Sequence, residues 1–318
     1  MARWRPQNDM KPRRLRLLGW LVVLPAVAQP PTAPPAADDL YKLGKQLFDE
    51  LAPPEVKEQY EFPSKEQWDA FAARLQRALE NDDLAALGAY GPEARAALTA
   101  LRALPGYEDY ADWLEQRLDE ITVAREVTAP PPALEKPQPT PKPGALPYYD
   151  LWLARVRTRP APARAAALMP QLRAAFVAEG VPPELAWLAE AESSLNPAAR
   201  SPAGAKGLFQ FMPDTAKSLG LSTFLPDERT DPEKSAHAAA RYLRALHGKF
   251  GDWPLALAAY NAGEGRVGRE LAARHAHDFA GIASTLPAET RMYVPKVCAL
   301  VEVRAGVAPE KIPPPHSD

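Results

Sequence analysis

Among the ionisable side chains, Glu192 invites a chemical reading first. It sits in the stretch AESSLNP (191–197), directly after the apolar run VPPELAWLAE (181–190). Proline disfavours helix in the residue before it, so the helix predicted from Pro182-Pro183 ends by Asn196-Pro197. Glu192 then falls in the last turn, where the partial negative charge of a helix end disfavours a carboxylate. Leu188 and Leu195 add desolvation in the same direction. Both effects keep the proton on, and a carboxyl still protonated near neutral pH can act as a general acid. Glu190, two residues away, faces another side of the helix.

Three further stretches carry residues suited to a polar ligand: SPAGAKGLFQFMP (201–213), AAYNAGEGRV (258–267) and LPAETRMYVPKV (286–297). Ser201, Gln210 and Asn261 can each donate and accept hydrogen bonds. Tyr260 can bond near a reacting group, and Phe209 or Phe211 can offer an apolar face. Met212, Glu289 and Tyr293 complete the candidate set. Each has a structural reading beside the functional one. Gln210 and Asn261 suit turns or helix ends, Tyr260 and Tyr293 suit a core, and Tyr293 more so because it lies on a Val/Leu-rich helix. Phe211 and Met212 suit packing, and Glu289 suits a helix start near Thr290. Asp214 reads as a first-turn helix residue favoured by the dipole, and Glu264 sits in a glycine turn. The GAKG run (204–207) lacks the phosphate-loop pattern. His275 and His277 lack zinc spacing and a third ligand.

The elements that must position these groups are helical throughout. PARAAALMPQLRAAFVAEG ends on Gly180, PDTAKSLG opens with Pro213 and closes on Gly220, and DPEKSAHAAARYLRALHGKFG has Asp231 as N-cap, Pro232 at the first position and Gly248 past its end. DWPLALAAYNAGEG and PAETRMYVPKVCALVEV follow. No alternating pattern of useful length appears, so the expected class is all-α. The stretch 128–147 holds eight prolines in 20 residues and reads as an extended spacer. It separates a helical segment (38–127) from residues 148–305. Segment 38–127 has a capping box at Ser64 and Gln67 and apolar Trp68, Phe71, Leu75 and Leu79, but no chemical motif. Residues 306–318 are expected to be a loose tail.

The chain has 318 residues, 46% hydrophobic and 25% charged, enough for more than one domain. A net charge of −2 gives no basic footprint for nucleic acid. Residues 1–28 combine a basic start, an apolar run from Leu17 to Val27 and a small-x-small site ending at Ala28, which reads as a secretory signal peptide. That run is shorter than the ~20 residues that span a bilayer. Arg13-Arg14 leaves twin-Arg export open beside the general route. The single cysteine, Cys298, allows no internal disulfide and reads as a buried apolar side chain.

Taken in order, the four stretches closely resemble the lytic transglycosylase domain of the soluble-transglycosylase type, a lysozyme-like helical fold that cleaves bacterial peptidoglycan. The resemblance covers about Tyr148 to Arg304. It implies that Glu192, in the E-S-x-x-N-P motif, is the catalytic acid. It also implies that Ser201, Gln210 (G-L-x-Q), Met212 and Glu289 (E-T-x-x-Y-V) line a sugar groove. Tyr260 and Asn261 come from A-Y-N-A-G, with Tyr260 beside the acid, and Tyr293 from the last motif. Hydrolases with paired carboxylates place the second ~5–5.5 or ~6.5–9.5 Å from the first, and no acid in these motifs has a claim comparable to Glu192. That fits the family's one-carboxylate scheme, which needs no cofactor or metal and consumes no water. The expected partner is the peptidoglycan glycan strand, with cell-wall proteins as candidate partners for segment 38–127 and a periplasmic or wall-facing location. A goose-type-like lysozyme on the same fold and a non-catalytic wall-binding scaffold remain as alternatives.

Overall fold

The computed structural model describes residues 88, 91, 95, 98, 108–128, 145–201 and 204–316. The expected signal peptide, the capping box at Ser64 and most of the proline-rich spacer lie outside them. Among the described residues there are ten α-helices and several short 3-10 turns, and β structure is confined to the isolated bridges Arg200–Lys206 and Lys206–Phe211. The all-α expectation holds. No helix among the described residues is long and apolar enough to cross a membrane.

The helices are α1 (Glu108–Thr128), α2 (Tyr149–Arg157), α3 (Ala165–Ala178), α4 (Leu188–Ser193), α5 (Pro213–Ser218), α6 (Pro232–Phe250), α7 (Trp253–Ala262), α8 (Glu264–Arg274), α9 (Phe279–Ile282) and α10 (Ala288–Ala305). Helix α10 is the hub. Every residue from Met292 to Val301 is buried, as expected of a run that is apolar on every side but for Lys296, and α1, α2, α4 and α7 all pack against the helix. Helix α6 packs on α3 and α7 to close the other side.

The punctuation read from sequence largely sets the boundaries. Asp231 caps α6, accepting from the amides of Glu233 and Lys234 at 3.0 Å each, with Pro232 in the first turn. The C-terminus differs from expectation. Gly248 lies inside α6, and Gly251, in the left-handed region at φ 71°, ends it.

Two larger differences concern which parts belong together. Helix α1 comes from the segment expected to be separate, yet it packs on α4 and α10. Charged pairs hold α1 in place: Lys296 Nζ of α10 with Glu120 Oε1 at 3.2 Å, and from α2 and the residues just after it Arg155 Nη2 with Glu126 Oε1 at 2.5 Å and Arg159 with Asp119. The segment after Gly306, expected to be loose, is docked as far as His316. Ile312 is buried, Trp253 Nε1 donates to the Pro313 carbonyl at 2.9 Å, and the His316 amide donates to the Gly180 carbonyl at 2.8 Å. An apolar anchor and two satisfied backbone groups outweigh the freedom of a proline-rich end.

Candidate active site

Glu192 stands at the end of α4, as the sequence implied. A 3-10 turn (Pro183–Trp187) leads into α4, which stops at Ser193 because Ser194 and Leu195 both adopt left-handed backbone, at φ 51° and 59°. Two successive non-glycine residues there are costly, and such strain concentrates where surrounding structure fixes it for function. Their amides satisfy the helix end: Ser194 donates to the Glu190 carbonyl at 3.0 Å and Leu195 to the Ala189 carbonyl at 3.3 Å. Leu188 and Leu195 are fully buried beside the acid.

The Glu192 side chain is partly exposed and receives a hydrogen bond from the Tyr293 hydroxyl at 2.5 Å. Its pKa is pushed from 4.5 up to about 7. Burial is the main cause and Glu289 adds to it, while the Tyr293 hydrogen bond and the charges of Arg117 and Lys296 pull the other way. The source of the shift is thus burial more than the helix end, whose carbonyls are already engaged. Burial, with Glu192 nearby, pushes the phenols of Tyr260 and Tyr293 upward, so both stay protonated donors.

The loop 201–211 meets the acid through Ser193, whose Oγ lies 3.0 Å from the carbonyl oxygens of both Ala189 and Leu208. Within this loop the candidates hold structure as well as facing outward. Gln210, at φ 48°, donates its amide to the Gly207 carbonyl at 2.8 Å. Ser201 Oγ accepts from the Ala205 amide at 3.0 Å. Tyr260 donates to the Phe209 carbonyl at 2.9 Å, and its ring packs 6.0 Å from Phe211 and 5.4 Å from Tyr242. Asn261 Oδ1 accepts from Thr290 at 2.7 Å, joining α7 to the start of α10. Met212 is 43% exposed, which leaves its side chain open to a ligand.

One expectation changes. Phe209 and Phe211 offer no face to a sugar, because both are buried, packed against Phe176, each other and Tyr260. Glu289 is engaged by an ion pair, Oε1 to Arg117 Nη1 at 2.7 Å. Glu190 turns away from Glu192 to pair with Arg304 at 2.7 Å, and Asp214 is a fully exposed first-turn residue of α5.

Residues 172–282 match the family model of the transglycosylase SLT domain. This segment is similar to the transglycosylase SLT domain. The match takes in Glu192 and three of the four stretches, whereas the fourth, which supplies Tyr293, lies beyond it. Similar proteins include the membrane-bound lytic murein transglycosylase D of Escherichia coli (strain K12), 40% identical over 129 residues, or 39% of this chain and 28% of that protein. Peptidoglycan transglycosylase gp16 of Escherichia phage T7 is 46% identical over 104 residues, 31% of this chain and 8% of that one. The solved 70 kDa soluble lytic transglycosylase of Escherichia coli superposes with a TM-score of 0.36 at 21% identity, covering 84% of this chain and 56% of that one. The chain therefore spans about a quarter or less of the curated relatives it matches.

Sequence reasoning missed Arg117, Glu120 and Lys296, of which Arg117 and Lys296 act on Glu192 through their charge. Lys296 was visible as a cation inside the apolar run Met292–Val301, and it lies 5.6 Å above the Trp152 ring. Arg117 and Glu120 carried no motif.

Proposed function

We propose that this protein is an exported lytic transglycosylase that cleaves the MurNAc-GlcNAc β-1,4 bond of peptidoglycan without water. The observation that carries the reading is Glu192, held by Tyr293 at 2.5 Å and with its pKa raised to about 7, inside an SLT domain. A carboxyl poised there matches the pH at which it must give up a proton and then take one back. Glu192 protonates the glycosidic oxygen as the bond breaks, and the N-acetyl group of the muramic acid stabilises the cation. The ionised Glu192 then removes the proton from the C6 hydroxyl of the same sugar, whose oxygen attacks the anomeric carbon. The products are a free GlcNAc end and a 1,6-anhydro-MurNAc end.

Tyr293 steadies the ionised intermediate state of the acid. Ser201, Gln210, Met212, Tyr260, Asn261 and Glu289 form the groove, several of them through the backbone they fix. Residues 1–28 direct export. Support for a one-carboxylate scheme over a hydrolytic one comes from Glu289, whose oxygen is committed to Arg117 rather than left to activate water.

Mass analysis of muropeptides from digested sacculi tests this. Wild type is expected to release ends lighter by one water than hydrolysis products, and Glu192→Gln to release none. Ordinary reducing ends would instead make the protein a hydrolase. Binding without turnover by either form would make it a scaffold.

A further inference from the structure

Helix α1 lies upstream of the SLT domain match and of the proline-rich stretch, and carries no motif of its own. Its charged side chains nevertheless reach the site. Arg117 Nη1 is 2.7 Å from Glu120 Oε2 on its own helix and 2.7 Å from Glu289 Oε1 on α10. Glu120, only 2% exposed, takes a second partner from α10 in Lys296 at 3.2 Å. On α10, Glu289, Tyr293 and Lys296 fall at i, i+4 and i+7, one face of the helix. That face presents to Glu192 a carboxylate, a phenol and an amine, and α1 holds the first and the last.

From this geometry we propose that α1 is a working part of the proposed transglycosylase site, in which Arg117 is a positioning residue that neutralises Glu289 and sets the proton affinity and orientation of Glu192. The inference rests on the catalytic reading of Glu192 given above. Its physical basis is that two carboxylates in one partly buried cleft cannot both ionise cheaply, so an uncompensated Glu289 would hold the proton on Glu192 too tightly for release. The groups that face Glu192 are Tyr293, Glu289 and Lys296 from α10, Tyr260 from α7 and Arg117 from α1. Arg117 is the cation among them that answers Glu289 directly. Although burial opposes it, the carboxylates of Glu120 and Glu289 hold the guanidinium charged. One nitrogen, Nη1, meets both carboxylates, and a guanidinium stays charged across the working pH range.

The mechanism makes the balance matter. A single carboxyl acts first as acid and then as base, and burial alone would push it toward being a poor acid. Arg117 and Lys296 draw it back toward neutrality, and both cations are anchored through Glu120 of α1. A helix outside the matched domain thus supplies the counter-charge.

The test is the pH profile of kcat and KM for the full chain on soluble, uncrosslinked glycan strands, with anhydro ends counted by mass. In the wild type, kcat is expected to fall as pH rises through about 7, the value for Glu192. Arg117→Gln should move that limb upward by about one unit and lower the low-pH plateau of kcat roughly threefold or more, with KM changed little. Arg117→Lys should restore the limb, because the charge is kept. Glu289→Gln should move it the opposite way, downward, since it removes a negative neighbour. A purely structural role would shift neither limb, or would lower activity at every pH alike. Far-ultraviolet dichroism and unfolding midpoints establish that each variant folds, and Arg117→Met replaces Arg117→Gln if the glutamine variant does not. A folded Arg117 variant with an unmoved limb overturns the inference. A wild type that makes no anhydro ends instead overturns the catalytic reading beneath it, so the two failures are told apart.

Discussion

At the scale of the residue, Glu192 was legible because four short stretches in one order all pointed to it. Its surroundings were less so. Tyr293 read as a core aromatic or a groove residue from sequence, and it is buried yet spends its hydroxyl on the acid. Phe209 or Phe211 read as able to offer an apolar face, with packing as the other reading for Phe211, because sequence spacing reports residue type and not which face is turned inward. The raised pKa of Glu192 also has a consequence for stability. Its value is 4.5 unfolded and about 7 folded, so between those values the native state binds a proton that the unfolded state releases. Below pH 4.5 no penalty exists, and it grows as pH rises through about 7. At ~1.4 kcal/mol per unit the penalty reaches about 3 kcal/mol. Glu192→Gln removes the charge and keeps the shape. It should therefore stabilise the protein by roughly 1 to 3 kcal/mol at pH 8 and by little at pH 4.5. Urea unfolding at the two pH values measures this, and an equal effect at both would sink the account of the buried carboxyl.

At the scale of the element, proline and glycine punctuation fixed the helices well, and the misplacement of Gly248 shows its limit. A helix with an apolar face and no adverse φ runs through a glycine at a cost of about 1 kcal/mol, so a glycine ends a helix only where left-handed backbone is used, as at Gly251. The loop 201–211 depends on a different glycine. Gly207 has φ 80°, and a Cβ there would lie 1.8 Å from the Arg229 carbonyl oxygen, which is backbone and has little room to move. Arg229 is itself buried, donating to the carbonyls of Gly204 and Phe211 at 3.0 Å each. It also pairs with Asp227 at 2.8 Å, as Lys206 does at 2.9 Å. Against the opposing effect of burial, these partners pull Asp227 down to about 2. Gly207→Ala must therefore shift Arg229 or the loop. The expected loss is roughly 3 kcal/mol or more from strain and displacement together. Activity should fall further than stability alone explains, because Gln210 and Ser193 both bond to this loop's carbonyls. Chemical unfolding beside turnover at saturating substrate separates the two, and a fully stable, fully active variant would contradict the described close approach.

At the scale of the whole molecule, the sequence divides the chain at its prolines, and the packing does not follow that division. A helical pattern states that a helix has an apolar face; it does not state which distant helix covers it. For that reason α1 looked like part of a separate unit, while its Arg117 and Glu120 meet α10. The same applies at the other end. Three prolines before His316 suggested a loose tail, yet Pro313 and His316 bond across to Trp253 and Gly180 while Ile312 is buried. The tail thus straps the end of α3 to the start of α7. Burying an isoleucine contributes about 2 kcal/mol, and a hydrogen bond to a buried indole about 1 kcal/mol more. Truncation after Ala308 should therefore cost about 3 kcal/mol and lower the unfolding midpoint by roughly 10 °C. Ile312→Ala alone should cost about 2 kcal/mol, toward the low end for a buried aliphatic because the site lies near the surface. The hydrogen bonds that dock the strap run to Trp253 and Gly180, so at temperatures where the truncated chain stays folded its kcat and its pH limb should match the full chain. Calorimetry on both variants, with anhydro-end formation at 25 °C, checks the two halves together. An unchanged midpoint would mean that the tail does not hold in solution, and a moved pH limb would mean that its influence extends to the acid.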